Sequence, residues 1–280
     1  MITLDKNRCT KCGKCIKHMK NYCISEENGY PVFDYSLCNI CQKCVAICPS
    51  QAIMVNGKHP DKLGEKHKIT PDLLIPLFEQ RRSIKLFQDK KISPDIIKQI
   101  SVAAKYAPNQ NKNLSVHAVT DPGLIGLLDK YAFRFTKTWY RLLFGFRPVI
   151  WFIKIFSRKL DVIKKKMEVS IKYKRRGIPE NTQAVLIVTG NKRVPVTANS
   201  APFMMASMMY MAEALGIGTC LNDALMITLR IYRKVRKVLN IKEDIFCVML
   251  LGYSAEKIVN IPRGYELKVI RNPPSHENTK

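Results

Sequence analysis

Apolar residues along this 280-residue chain change their spacing near position 69. Up to that point they come in short runs broken by cysteine, lysine and glycine. The last of these runs, Gln51-Ala52-Ile53-Met54-Val55, predicts a strand that closes a small unit. The stretch 56–68 is polar and rich in turn formers, and reads as a linker. Beyond it the period becomes helical. Asp72–Gln80 places Leu73, Leu74, Leu77 and Phe78 on one face. Ser93-Pro94 supplies an N-cap followed by proline at the first helical position, and the helix it opens turns Ile96, Ile97, Ile100, Ala103 and Ala104 inward before stopping ahead of Pro108. Val116–Thr120, Gln183–Thr189 and Phe246–Leu251 are β-rich, and the last two are continuously apolar, as strands covered on both faces are. Ala201–Leu215 predicts a long apolar helix with methionine at 204, 205, 208, 209 and 211, a stripe that suits a core or a subunit interface better than a cofactor site. Mixed helices and strands of this kind predict an α+β protein, divided as 1–55, a linker 56–70, and 71–280.

Cysteine placement gives the first unit its chemistry. Eight of the ten cysteines fall in the first 48 residues: Cys9, Cys12, Cys15 and Cys23, then Cys38, Cys41, Cys44 and Cys48, with Pro49 following. The second group reads CxxCxxCxxxCP, the run by which bacterial ferredoxins hold iron–sulfur clusters. Three cysteines two residues apart share a tight turn, so their thiolates converge on three corners of a cubane and the fourth ligand comes from elsewhere. In two-cluster ferredoxins it belongs to the other motif. That resemblance implies Cys9, Cys12, Cys15 and Cys48 on one [4Fe-4S] cluster and Cys38, Cys41, Cys44 and Cys23 on the other. Met19 stands where the first motif would carry its fourth cysteine and Cys23 follows four residues later, so a longer loop is expected there. Structural zinc is the alternative for paired CxxC. With no apolar signal segment after Met1, and only Cys220 and Cys247 outside the motifs, the chain reads as a protein of a reducing cytoplasm in an oxygen-poor host. The cysteine unit needs metal to fold, whereas the remainder is long enough to build its own core.

Four segments follow in order: Arg81-Arg82-Ser83-Ile84-Lys85-Leu86-Phe87; Ala107-Pro108-Asn109-Gln110-Asn111-Lys112-Asn113; Ala214-Leu215-Gly216-Ile217-Gly218-Thr219-Cys220-Leu221-Asn222; and Leu251-Gly252-Tyr253-Ser254, with Arg263 after Pro262. Together they resemble the nitroreductase family, FMN-dependent α+β enzymes that are usually intertwined homodimers with flavin at the subunit interface. The fold so implied is a nitroreductase-like FMN-binding α/β sandwich preceded by a small ferredoxin-like domain. The resemblance places Arg81 and Ser83, with Arg82 beside them, on the FMN phosphate and ribityl chain. It sets Lys85 near the flavin N1–C2 carbonyl edge, Asn111 or Asn113 against the ring, and Arg263 on the phosphate. A guanidinium and a hydroxyl suit a phosphate dianion, and an ammonium near N1 suits the anionic reduced flavin. Gly216, Ile217, Gly218 and Thr219 would bring backbone close to the ring, and Cys220 reads as packing. No side-chain nucleophile or Ser/His/Asp set is needed, because the flavin carries the chemistry. Of the histidines, only His117 lies near the flavin loop.

Charge bears on partners. Lysine and arginine exceed aspartate and glutamate by 25. In the cysteine unit Lys6, Arg8, Lys11, Lys14, Lys17, Lys20 and Lys43 outnumber Asp5, Glu26, Glu27 and Asp34, which suits an acidic electron donor such as ferredoxin or flavodoxin; a lysine-rich solvated face is the plain alternative. Between 130 and 176 there are 15 basic residues against Asp161 and Glu168, interleaved with aromatics. Arg147, Pro148 and Lys154 break that apolar run below the length that spans a bilayer. Two readings stay open for it: a cover over the substrate pocket, favoured by its position in the family, and an amphipathic surface lying on anionic lipid. No nucleic-acid motif is present, and none is expected as partner. The expected activity is electron transfer from a low-potential donor through two clusters to FMN and on to an electron-poor small molecule. A relay protein docking on a larger complex, and NAD(P)H as donor, are the rival readings.

Overall fold

The computed structural model describes residues 1–20, 22–65, 69–108, 113–145, 160–172, 177–194 and 196–262. The expectations placed on Asn111, on Arg263 and on 146–156 of the basic aromatic segment lie outside these described residues.

The cysteine unit is built on two short antiparallel pairs. Strand β1 (Ile2–Leu4) pairs with β4 (Ile53–Val55), so the start and the end of the unit lie side by side. Strands β2 (Ile24–Glu27) and β3 (Tyr30–Phe33) form a hairpin over Asn28-Gly29, both at positive φ, the mirror-image turn that matches strand twist. Two short helices, α1 (Lys14–Met19) and α2 (Lys43–Ala46), each take in the third cysteine of a triplet, Cys15 and Cys44. The core is thin: Ile2, Ile16, Met19, Ile24, Val45 and Ile53, completed by Cys23 and Cys44. Part of the stretch read as linker folds back onto it. Lys58 pairs with Val55, Gln51 donates to the Pro60 carbonyl at 2.6 Å, and His59 lies 3.4 Å from Asp5.

The larger region is a four-stranded antiparallel sheet, ordered β5 (Leu114–Val119), β6 (Ala184–Gly190), β8 (Asp244–Gly252), β7 (Gly218–Leu221), with helices on both faces. Strand β6 is buried along all seven residues. Its alternate side chains feed two cores. Val185 and Ile187 pack with Leu128, Leu225, Leu229, Val248 and Leu250 under α5 (Pro122–Phe144) and α8 (Asp223–Ile231). Leu186 and Val188 pack with Ile97, Ile100, Met204, Met208 and Met249 under α4 (Pro94–Ala103) and α7 (Thr197–Ala214). A fully buried leucine or isoleucine here contributes about 1.5–3 kcal/mol, and this continuous run is why β6 reads as a central strand. The predicted N-cap is present, since Ser93 Oγ accepts from Ile96 N at 3.3 Å.

Two helices depart from expectation. Helix α3 (Pro71–Gln80) forms, but none of its residues is buried, and Leu73 remains 69% exposed. Helix α7 is apolar on nearly every side, with Glu213 its one charged residue. Met204, Met205 and Met208 enter the core, while Met211 and Phe203 face outward. A helix apolar all round normally has neighbours all round. The later part of α5 and a second helix, α6 (Leu160–Lys172), pack as a hairpin that stands off the core. No residue of α5 beyond Ala132 is buried, and Tyr140 donates to Glu168 across the pair at 2.8 Å. No described helix is long and apolar enough to cross a membrane.

Candidate functional site

The two cysteine triplets adopt the same backbone. In the first, Lys11 and Gly13 on either side of Cys12 have φ of 53° and 67°; in the second, Ile40 and Gln42 on either side of Cys41 have φ of 53° and 63°. A β-branched residue in this left-handed region costs on the order of 1–2 kcal/mol, so Ile40 is held there by the demand of the loop. Cys9, Cys12, Cys15 and Cys48 line one cavity together with Leu4, Ile16 and Ile53. Cys48 thus sits with the first triplet although its sequence neighbours belong to the second. Cys23 is buried beside Cys38, and Cys44 feels Cys41, Cys38 and Cys23. Met19, at the place of the missing ligand, goes into the core instead, and the chain turns over it to deliver Cys23, whose N–H donates to the Met19 carbonyl at 3.3 Å.

Burial pushes the Cys44 thiol up to about 12, and raises Cys15 and Cys23 as well. Cys48 is half-buried, which raises it, but the Ser50 hydroxyl and the backbone N–H groups of Ala52, Ile53 and Ser50 outweigh that and hold it below its ordinary value. Buried thiols become thiolates only against a compensating cationic centre, so the donor set suits iron–sulfur clusters. Among the described residues no three Cys, His, Asp or Glu side chains close on a single-ion site. The first quartet instead lines a shared cavity.

The flavin-side residues fall into two separate groups. Arg81–Phe87 runs beside β7: Ser83 pairs with Thr219 in parallel, Ile84 N donates to Thr219 O at 2.9 Å, and Phe87 pairs with Ser254. Ser83 and Lys85 face solvent and the two arginines are half-buried. The Arg82 guanidinium donates to the Arg81 carbonyl at 2.7 Å. Glu213, near the C-terminus of α7, is pushed up by burial while Arg81 and Arg82 oppose the shift, so the arginines lie at that end of the helix. Burial raises Cys220, Lys85 opposes it and Glu256 adds to it, which marks Cys220 as a packed thiol facing the basic segment. The glycines here make room for this segment: a Cβ on Gly218 would lie 2.9 Å from the Ile84 side chain, and one on Gly252 would lie 2.5 Å from the Phe87 ring. Gly216, at φ 71°, meets nothing within 4 Å of where a Cβ would stand and opens onto a cavity shared with Gln80, Glu213 and Glu256. Thr219 Oγ1 is buried without a partner.

Asn113 is on the far side. Its amide donates to Thr197 Oγ1 at 2.6 Å, at the start of α7, and its buried Oδ1 has no partner. From the Arg81–Lys85 segment to β5 there are four strand spacings, roughly 19 Å. From Thr197 to Glu213 the helix runs about 24 Å. Both measures separate Asn113 from the arginines within one chain. His117 is engaged with the Thr189 hydroxyl at 3.1 Å and with Glu243 at 4.0 Å.

Sequence reasoning missed a chamber between the two units. A cavity of about 700 Å³ is lined by Cys41, Gln42, Lys43 and Ala46 on one wall and by Lys105, Tyr106, Ala107, Pro108, Val196, Asn199, Ser200 and Phe203 on the other. Asn113 does not line it, but its partner Thr197 follows Val196 of the wall. No periodicity could have revealed it, because its walls come from positions some 60 to 160 residues apart.

A model of the nitroreductase family matches residues 78–253, and a model of the 4Fe-4S binding domain matches residues 31–54. An uncharacterized ferredoxin of Methanocaldococcus jannaschii is 31% identical over 68 residues, covering 23% of this chain and 88% of that ferredoxin. Among solved structures, a nitroreductase with bound FMN from Desulfitobacterium hafniense has a TM-score of 0.54 at 13% identity, over 70% of this chain and 97% of its own. One from Bacteroides fragilis, also with bound FMN, has a TM-score of 0.52 at 17% identity, over 71% and 98%. An iodotyrosine deiodinase bound to FMN and 3-iodo-L-tyrosine has a TM-score of 0.51 at 19% identity, over 71% and 99%. At these identities the likeness to the solved structures is one of fold.

Proposed function

The chain belongs to the nitroreductase family and carries a ferredoxin-type 4Fe-4S domain ahead of it, and on that footing we propose an FMN-dependent oxidoreductase that takes single electrons through two [4Fe-4S] clusters and reduces an electron-poor acceptor. The observation that carries this reading is the chamber, because one of its walls bears Cys41 and the other belongs to the family fold. Bound FMN would supply the conversion between one- and two-electron chemistry, and the clusters the conduction. Arg81, Arg82 and Ser83 present cationic and hydroxyl donors for a phosphate, Lys85 a cation near the ring, and Asn113 Oδ1 an acceptor still without a donor. Lys43, Lys105, Tyr106 and Phe203 give the chamber the character to receive a flat acceptor bearing nitro, quinone or carbonyl oxygens.

The separation of Asn113 from Arg81–Lys85 supports a two-fold homodimer in which each flavin is held by the arginines of one copy and the asparagine loop of the other. The uncovered apolar face of α3 and the outward Met211 suit such a partner. Paired charges at these positions, Leu73→Asp with Met211→Asp, are expected to give a monomer by light scattering that no longer retains flavin.

Anaerobic purification with iron, sulfide and FMN quantitation tests the whole reading. About eight irons and one FMN per chain, bleached by reduced ferredoxin and not by NADH or NADPH, is the expected result; FMN without iron would overturn it. Arg81→Ala is expected to weaken FMN retention roughly tenfold to a hundredfold, the worth of a charge-assisted hydrogen bond, while leaving cluster absorbance intact. Unchanged FMN affinity would remove Arg81 from the phosphate site.

A further inference from the structure

We propose that the two cysteine quartets are ordered: the Cys9, Cys12, Cys15 and Cys48 side takes electrons from an acidic one-electron carrier protein docked on the lysine rim around Cys12, and the Cys23, Cys38, Cys41 and Cys44 side faces the chamber. This rests on the two-cluster flavoenzyme reading given above.

Of the eight motif cysteines only Cys12 and Cys41 are exposed. Cys41 shares its chamber with Tyr106, Pro108, Asn199 and Phe203 of the family fold, whereas the cavity holding Cys12 takes no wall from beyond residue 53. One exposed cysteine therefore borders the larger domain, and the other has only its own unit around it. The latter is surrounded by cations. Lys6, Arg8, Lys11, Lys14, Lys17 and Lys20 are all exposed, and Lys14 and Lys17 share the outer side of α1, opposite the buried Ile16 and Met19. Two of these cations are held in place. Lys11 Nζ donates to Asn28 O at 3.2 Å and lies 4.3 Å from the Tyr30 ring centre, and Lys6 lies 5.4 Å from the same ring. Of the acidic residues nearby, Asp5 is engaged by His59 at 3.4 Å and Arg8 at 3.9 Å, which leaves Glu26 and Glu27 of β2 against the five lysines. A cationic surface around an exposed cysteine fits an acidic protein. Each docking oxidises the carrier by one electron, so two dockings supply the electron pair for one acceptor, with protons drawn from water.

The test is the affinity of the purified iron-loaded chain for an oxidised acidic bacterial ferredoxin, titrated at low and high salt. Lys11→Glu with Lys14→Glu is expected to weaken binding at least tenfold at low ionic strength, with the gap closing as salt screens the charges, while bleaching by dithionite is unchanged. Lys164→Glu with Lys165→Glu, the same charge change on α6, should leave affinity within twofold. An equal loss in both pairs, no loss in either, or a loss confined to Lys43→Glu beside Cys41 would overturn the ordering with the flavoenzyme reading intact. A parent chain isolated without iron would instead overturn that reading.

Discussion

Replacing Cys48 with serine is expected to cut the iron content from about eight atoms per chain to about four, and to abolish flavin reduction by a protein carrier while sparing reduction by a small chemical reductant. The reasoning is spatial. Cys48 follows α2 and by sequence closes the second motif, yet it shares a cavity with Cys9, Cys12 and Cys15. Its lowered thiol, supported by the Ser50 hydroxyl at 3.6 Å and by backbone N–H groups, is ready to ligate there. The residual spectrum identifies which cluster has gone. Cys48→Ser should leave the same spectrum and potential as Cys15→Ser, and a different one from Cys44→Ser. A match between Cys48→Ser and Cys44→Ser would show that each motif keeps its own four ligands.

Phe87→Ala is expected to cost about 3–5 kcal/mol, a large part of the 5–15 kcal/mol typical of a folded domain, and to lower the melting temperature by roughly 10 °C. Phe87 is 4% exposed, lies in the space that Gly252 leaves free, and its carbonyl accepts from Asn181 at 3.2 Å. With Ile84 it forms the two pegs that fix Arg81–Lys85 to the sheet, so flavin retention should fall with stability. Leu86→Ala, between the pegs and 61% exposed, should change stability by no more than about 0.5 kcal/mol. If the two variants melt alike, Phe87 does not anchor the segment.

The strand cores were legible because continuous burial demands a continuous apolar run, as in β6, and the N-cap at Ser93 because its chemistry is local. Helix α3 was legible as a helix but not in its surroundings: periodicity identifies the apolar face of Leu73 and Leu74 without saying that one chain leaves it uncovered. The family-like segment at Gly216–Thr219 was found, yet its glycines divide by role. Gly218 makes room for Ile84, and Gly216 faces open space. That difference depends on a strand crossing from 130 residues earlier, which no local pattern encodes. Ile40 was invisible for the opposite reason, since the left-handed turn it adopts runs against its own propensity and is imposed by the loop.

The distance between Asn113 and the arginines has a genetic meaning. If each flavin is shared by two copies, damage at Arg81 and damage at Asn113 strike opposite halves of every site. Two inactive alleles of one gene, one carrying each lesion, would then rescue one another when expressed together. Half of the mixed assemblies' sites would pair two damaged halves and the other half two sound ones.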